Sequence, residues 1–273
     1  MKVCEKQVVW KAVVEEARKM AEEEPMLASF YHATIINHDS LAAALSYILA
    51  NKLKTSSMPA MAVREVIEMA FKEDPSISSA AACDICAVVN RDPAVAMYSM
   101  PLLYLKGYHA LQGYRVANWL WGQGRKALAT YLQNQISVAC QVDIHPAAQI
   151  GKGIMLDHAT GIVIGETAVV ENDVSILQDV TLGGTGKESG DRHPKIREGV
   201  MIGAGAKILG NIEVGVGAKI GSCSVVLQPV PAHTTAAGVP AKIVGRPKSE
   251  MPAMDMDQNF NGKSQTFTGG DGI

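Results

Sequence analysis

A chain of 273 residues with 48% hydrophobic content is long enough for one large or two modest domains and apolar enough to build a core. A formal net charge of −2, with no run of Lys and Arg, excludes a general attraction to nucleic acid or anionic membrane and leaves small molecules and proteins as partners. The longest apolar stretch, Leu41 to Ala50, is too short to span a bilayer and the first residues carry no signal pattern, so a cytoplasmic protein is expected.

From the N-terminus the apolar residues recur at helical spacing. Trp10, Val13, Val14, Ala17 and Met20 form one stripe. Asp39-Ser40 before Leu41, Ala44, Leu45, Ile48 and Leu49 reads as a capped helix. Val63, Val66, Ile67, Ala70 and Phe71 form a further stripe, closed by Asp74-Pro75. Cys83 and Cys86 have the spacing of a redox pair or half a zinc site, but no second Cys pair and no nearby His completes one, so they read as helix-borne thiols. The odd, scattered set of five cysteines (Cys4, Cys83, Cys86, Cys140, Cys223) makes a poor disulfide framework and fits a reducing compartment. One more helix is expected from Leu102 through Trp121, ending at Gly122 and Gly124, with Trp119 and Trp121 used for packing.

Beyond Val142 the period becomes six. Ile144, Ile150, Leu156, Ile162, Ala168, Val174 and Val180 keep the rhythm, and it resumes in a new phase at Ile196, Ile202, Ile208, Val214, Ile220 and Val226. A hexapeptide period belongs to the parallel β-helix repeats, each hexad being one face of a triangular coil with its aliphatic residue inward. Thirteen such hexads predict a little over four coils. The same count turns Thr160, Glu166, Asn172 and Gln178 inward as an unexplained polar level. A narrow, filled prism leaves chemistry to its outer corners and loops, and the one stretch that ignores the rhythm, at about 183–195, carries Lys187, Asp191, Arg192 and His193.

Three chemistries compete for that loop and its surroundings. A phosphate loop is excluded, since Thr181 stands where glycine is needed and Glu188 where Ser or Thr is needed. A three-histidine zinc site of the γ-carbonic anhydrase type is excluded because no two of His145, His158, His193 and His233 are five residues apart, so no metal is expected. Acid/base chemistry remains, around Asp143-Ile-His145, Asp157-His158 and Arg192-His193. Asp143 and His158 are expected on successive coils, close enough for the carboxylate to orient the imidazole. Acetylation of a sugar hydroxyl on the same scaffold, and a non-catalytic assembly protein, are the competing readings.

The hexads, DIHPAAQIGKGIMLDHATGIVIGETA, GGTGKESGDRHPKI and AGVPAKIVG resemble bacterial serine O-acetyltransferases. PMLASFYHATI, RDPAV and PLLYLKGYHALQGYR resemble the helical domain of that family, so the likeness covers nearly the whole chain. It implies an α+β architecture: a helical domain (1–140) used in oligomerisation, a left-handed parallel β-helix (141–246) with the inserted loop, and a flexible C-terminal tail (247–273). It also implies acetyl transfer from acetyl-CoA to L-serine for cysteine biosynthesis, inhibited by L-cysteine. In that likeness His158 matches the base, Asp143 its orienting partner and His193 a second active-site histidine, while Asp92, Asp157 and Arg192 match residues that hold the amino acid. The Gly184 amide is a candidate for the thioester oxygen; Gly203 and Ala204 would lie along the pantetheine, and Lys219 and Lys242 near the phosphates of coenzyme A. The likeness further implies sites between the prisms of a trimer, trimers paired into a hexamer, and a C-terminal Ile273 that enters the active site of O-acetylserine sulfhydrylase.

Overall fold

Ser40 caps the helix that follows it, its hydroxyl accepting the amide of Ala43 at 3.2 Å. Asp74 accepts the amide of Ser76 at 3.0 Å, and Pro75 takes the first turn, where no amide is needed; the pair that closes one helix therefore opens the next. The structure, a computed structural model, describes residues 5–186 and 189–259. Its first half runs through α1 (Lys6–Glu23), α2 (Ala28–Tyr31), α3 (Leu41–Leu53), α4 (Ala60–Glu73), α5 (Pro75–Arg91), α6 (Ser99–Tyr104), α7 (Lys106–Gly122) and α8 (Lys126–Cys140). The stripes face a common core through Val13 and Ala17, Leu45 and Leu49, and Val63 and Ile67, with Trp119 and Trp121 packed at its edge. Cys83 and Cys86 lie on α5.

The helix expected from Leu102 to Trp121 is broken at Leu105, whose backbone is extended. The Leu102 carbonyl, released from helical pairing, accepts the Nε2–H of buried His109 at 2.7 Å. Burial pushes the pKa of this imidazole down to about 4, so it is a neutral structural donor. The break sets the first turn of α7 directly on the strand Met155–Leu156: a Cβ on Gly107 would fall 2.2 Å from the Leu156 carbonyl oxygen.

The second half is a parallel β-helix of three faces. The first stacks Val142–Ile144, Ile162–Ile164, Thr181–Gly183, Lys207–Leu209 and Val225–Val226. The second stacks Gln149–Ile150, Val169–Val170, Lys195–Ile196 and Glu213–Val214. The third stacks Met155–Leu156, Ser175–Ile176, Met201–Ile202, Lys219–Ile220 and Thr235–Gly238, and Ala241–Gly245 closes its end in antiparallel pairing. Two faces thus hold five parallel strands, more than the hexad count predicts, because the last coil, with a bridge from Val214 to Val230, lacks the aliphatic signature.

The register corrects the phase of the repeat. Ile144 pairs with Ile164, twenty residues on (144 to 164), whereas Ile164 pairs with Leu182, eighteen on (164 to 182). Two extra residues occupy the corner after Leu156, where His158 and Ala159 take left-handed backbone at φ 54° and 62°. The inward ladder therefore runs Ile144, Ile164, Leu182, Ile208 and Val226, while Ile162, Ala168, Val174 and Val180 fill the buried position two residues earlier. Thr160 and Asn172 are exposed, and Glu166 and Gln178 half-buried at corners, so the inward polar level does not exist. A two-residue insertion had shifted the count.

Two ion pairs and their hydrogen bonds hold the halves together. Arg115 donates to Asp84 at 2.7 Å and to the Gly151 carbonyl at 2.7 Å, and Asp84 accepts the Ile154 amide at 2.9 Å. Arg91 donates to Asp173 and to the Ser175 hydroxyl, both at 3.1 Å. The tail expected to be flexible from residue 247 is docked over its described part: Ala253 is buried in a short helix, α9 (Pro252–Asp255), and its carbonyl accepts the Ser175 hydroxyl at 3.0 Å. Ile273 lies outside the described residues.

Candidate active site

The extra corner after Leu156 pushes His158 out of the prism, where its side chain is 76% exposed. The C-terminus of α5 comes to the same place because Arg91 is pinned to Asp173 and Ser175 on the prism, and Asp92 follows Arg91. The N-terminus of α7 arrives beside it, with the Lys106 ammonium on the Thr160 hydroxyl. These elements enclose a cavity of about 430 Å³ with an apolar floor of Val88, Val95 and Met155 and a rim of Asp92, Asp157, Lys106 and His158. His158 Nε2 lies 3.9 Å from Asp157 Oδ1. Burial raises the Asp157 pKa and the nearby charge of Asp92 adds to the effect, with His158 opposing both. Two carboxylates sharing one pocket suit a bound ammonium group.

A second cluster forms where the inserted loop rejoins the prism. Arg192 donates to Glu166 Oε2 at 2.7 Å. His193 is buried, its ring lying across Gly165 so closely that a Cβ there would stand 2.0 Å from Cδ2. Thr167 ties the pair down: its hydroxyl accepts the amides of Arg192 (3.0 Å) and His193 (3.1 Å), and its own amide donates to His193 Nδ1 at 3.2 Å. Lys195 bridges the carbonyls of Thr167 and His193 and the Asp191 carboxylate. Burial lowers the His193 pKa, and the positive charges of Arg192 and Lys195 lower it further. His145 shares this side of the molecule; burial lowers its pKa, while the charges of Glu166 and Asp143 act to raise it.

The two clusters sit on different corners. His158 lies between the third and first faces, and Arg192 and His193 between the first and second, so the width of the first face separates them within one chain. Asp143 is on the opening strand of the same coil as His158, not on a successive one. Its carboxylate accepts Gln133 Nε2–H at 2.7 Å, and among the described residues no hydrogen bond or ion pair joins it to His158.

The coenzyme residues divide in the same way. Gly184 belongs to the corner of Arg192, Gly203 and Ala204 to the corner of His158. Gly203 is required by the coil above, since a Cβ would meet the Ser222 amide nitrogen at 2.7 Å. Lys219 is buried rather than presented on the surface, because the C-terminal segment folds over it and takes its ammonium on the Asn259 carbonyl at 2.6 Å. Lys242 is exposed on the terminal antiparallel strand. Lys106, Gly165 and Thr167 join the clusters without having been singled out in the sequence, and Glu166, expected inward, joins them from a corner; counting hexads backwards from Leu182 as well as forwards from Ile144 would have put Glu166 and Thr167 there.

Comparison with known proteins agrees with this division into helices and hexapeptide coils. Residues 9–113 match the family profile described as serine acetyltransferase, N-terminal, and residues 193–228 match the bacterial transferase hexapeptide profile. The chain is 71% identical to the serine acetyltransferase of Escherichia coli strain K12 over 271 residues, 99% of each chain. It superimposes on the crystal structure of serine acetyltransferase from Vibrio cholerae with a TM-score of 0.94 at 84% identity, covering 94% of this chain and all of that one. It also matches a serine acetyltransferase in complex with cysteine (TM-score 0.92, 67% identity, 94% and 100% covered) and one in complex with CoA (0.86, 67%, 88% and 100%). The chain belongs to the serine acetyltransferase family.

Proposed function

We propose that the chain transfers acetyl from acetyl-CoA to the hydroxyl of L-serine at a site completed between two adjoining copies, one supplying Asp92, Asp157 and His158 and the other Arg192 and His193. The observation that carries this reading is the placing of an anionic pocket with an exposed imidazole on one corner of the prism and a cationic, hydrogen-bonding cluster on the next. L-Serine is a zwitterion and needs both. Its ammonium fits between Asp92 and Asp157, and its carboxylate pairs with Arg192, whose guanidinium offers a bidentate fork.

His158 takes the proton from the serine hydroxyl as the oxygen attacks the thioester carbon. The tetrahedral intermediate carries its negative charge on the former carbonyl oxygen, and in this reading the Gly184 amide donates to it. Collapse breaks the carbon–sulfur bond, and the imidazolium returns its proton to the departing thiolate. A general base contributes about 10²–10⁴ to the rate. Asp143 lies on the side of His145, Glu166 and Arg192, so in this reading it orients His158 of the adjoining copy. Coenzyme A runs along the Gly203–Ala204 edge towards Lys242.

L-Cysteine keeps both charged groups of serine and occupies the same pocket as an inhibitor. The helical halves pair trimers into a hexamer in the cytoplasm, and the terminal Ile273 binds O-acetylserine sulfhydrylase. A thiol-release assay with acetyl-CoA tests the reaction by comparing L-serine, D-serine, homoserine and a galactoside. L-Serine is expected to be the best acceptor; equal or greater turnover with the galactoside overturns the reading.

A further inference from the structure

Thr167 sits beneath the loop that delivers Arg192 and His193, and every polar atom it owns is engaged there. Its hydroxyl oxygen accepts two loop amides, Arg192 N–H at 3.0 Å and His193 N–H at 3.1 Å. With both lone pairs used, the hydroxyl proton is donated outward, to His193 Nδ1 at 2.9 Å in competition with the Asp191 carboxylate, which the same hydroxyl also reaches. The Thr167 amide reaches the same nitrogen at 3.2 Å, and an amide can only donate. Nδ1 therefore accepts and carries no proton, and the proton of a neutral imidazole lies on Nε2. A cationic ring would turn an Nδ1–H against two donors, beside Arg192 and Lys195, with Glu166 already paired to Arg192. Among the described residues nothing hydrogen-bonds Nε2.

We infer that Thr167 is a positioning residue for the reaction: its hydroxyl and amide hold His193 in the neutral tautomer that presents Nε2–H, as a hydrogen-bond donor, to the bound amino acid or to the oxygen that becomes negative during transfer. This rests on the placing of His193 in the active site proposed above. His193 is then a fixed dipole rather than a second base, and the loop's grip on serine depends on a side chain that itself touches no substrate.

The test uses the full-length chain in three variants, Thr167→Val, Thr167→Ser and His193→Ala, with the parent enzyme labelled with ring ¹⁵N histidine in a deuterated background. The parent is expected to show His193 protonated on Nε2 alone at neutral pH, and a proton on Nδ1 overturns the proposal whether or not any variant assembles. Thr167→Val is expected to lower kcat/KM for L-serine by about tenfold to a hundredfold, the cost of misplacing a reacting group by about 1 Å. The His193 ring signals should lose their single-tautomer pattern with it, and Thr167→Ser should restore both. Activity of Thr167→Val within about twofold of the parent, loss of activity with the His193 spectrum unchanged, or failure of Thr167→Ser to rescue each overturn it. If His193→Ala is as active as the parent, the site itself is misassigned; if His193→Ala is inactive while Thr167→Val is active, only the role of Thr167 fails.

Discussion

Arg91, at the end of α5, donates to Asp173 on the prism across 3.1 Å, and its side chain is 2% exposed. Because Asp92 follows directly, this ion pair aims a residue of the helical half into a pocket of the β-helix. Burial nevertheless raises the Asp173 pKa, Arg91 offsetting only part of the effect. Arg91→Met is expected to cost about 1–3 kcal/mol at neutral pH, since it leaves the part-buried Asp173 carboxylate without its partner. The sign with pH follows from the raised value. Below the folded pKa of Asp173 the carboxyl is neutral in both proteins and the charge contribution disappears, so the gap between parent and variant narrows as pH falls. Chemical denaturation at neutral and mildly acidic pH measures it, and KM for L-serine is expected to rise with the displacement of Asp92.

Gly165 has no positive φ, and although its carbonyl closes the Glu166–Thr167 turn by accepting the Ala168 amide at 3.1 Å, any residue could do that; its reason is the imidazole of His193 lying against it. A methyl group there would stand 2.0 Å from Cδ2 and 2.1 Å from Nε2. Gly165→Ala must expel the ring, and because the ring belongs to an inserted loop, the loop can swing out without disturbing the ladder. The expected outcome is a loss of about 10²-fold in kcat/KM for L-serine with a melting temperature close to that of the parent. A crystal structure of the variant with His193 in its parental place would refute the steric argument.

How much of this was legible in the sequence depends on what carries the period. The hexads of the later coils were, because Ile196, Ile202, Ile208, Val214 and Ile220 repeat without interruption and each is buried. The phase of the first coil was hidden because its two inserted residues come at His158 and Ala159, where apolar residues on both sides of the insertion keep a six-residue beat in either phase. Cap chemistry marked Ser40, since a capping side chain acts within three residues, whereas Asp74-Pro75 was legible as the end of one helix and not as the cap of the next. The break at Leu105 left no such mark: neither glycine nor proline stands there, and it is the His109 ring and the contact of Gly107 with Leu156 that hold it. The acid/base residues could be named from their types, but their partition over two corners follows from the register, and the pairing of Asp143 with His158 could not be checked without it.

His109 gives an acid limb to stability. Its folded pKa, pushed down to about 4 by burial, lies below the ordinary value of 6.5. Between those values the unfolded chain binds a proton that the folded chain does not, so stability is lost as pH falls through that window. The full effect is about 3 kcal/mol at roughly 1.4 kcal/mol per pH unit. In His109→Gln, which has no such titration, stability should decline less over the same range. Parallel unfolding curves for parent and variant from pH 7 to about 4 would show that the ring is not held neutral.

The division of the site between two corners makes the sharpest claim, because it predicts activity from two inactive chains. In the proposed reaction His158→Ala removes the base, and its exposed side chain contributes little to the core, so the variant should assemble normally with a loss of about 10²–10⁴ in turnover. His193→Ala removes the opposite cluster. If each site takes His158 from one copy and His193 from its neighbour, chains mixed during unfolding and reassembly place an intact His158 beside an intact His193 in about one site in four, since each half is intact in half of the copies. Co-refolded equimolar variants should recover about a quarter of parental activity, while the separately refolded proteins, mixed afterwards, should stay inactive. A site built within one chain can never be restored this way. Recovery of nothing from properly assembled mixtures would place both histidines in the same copy and require a path around the first face that the register does not provide.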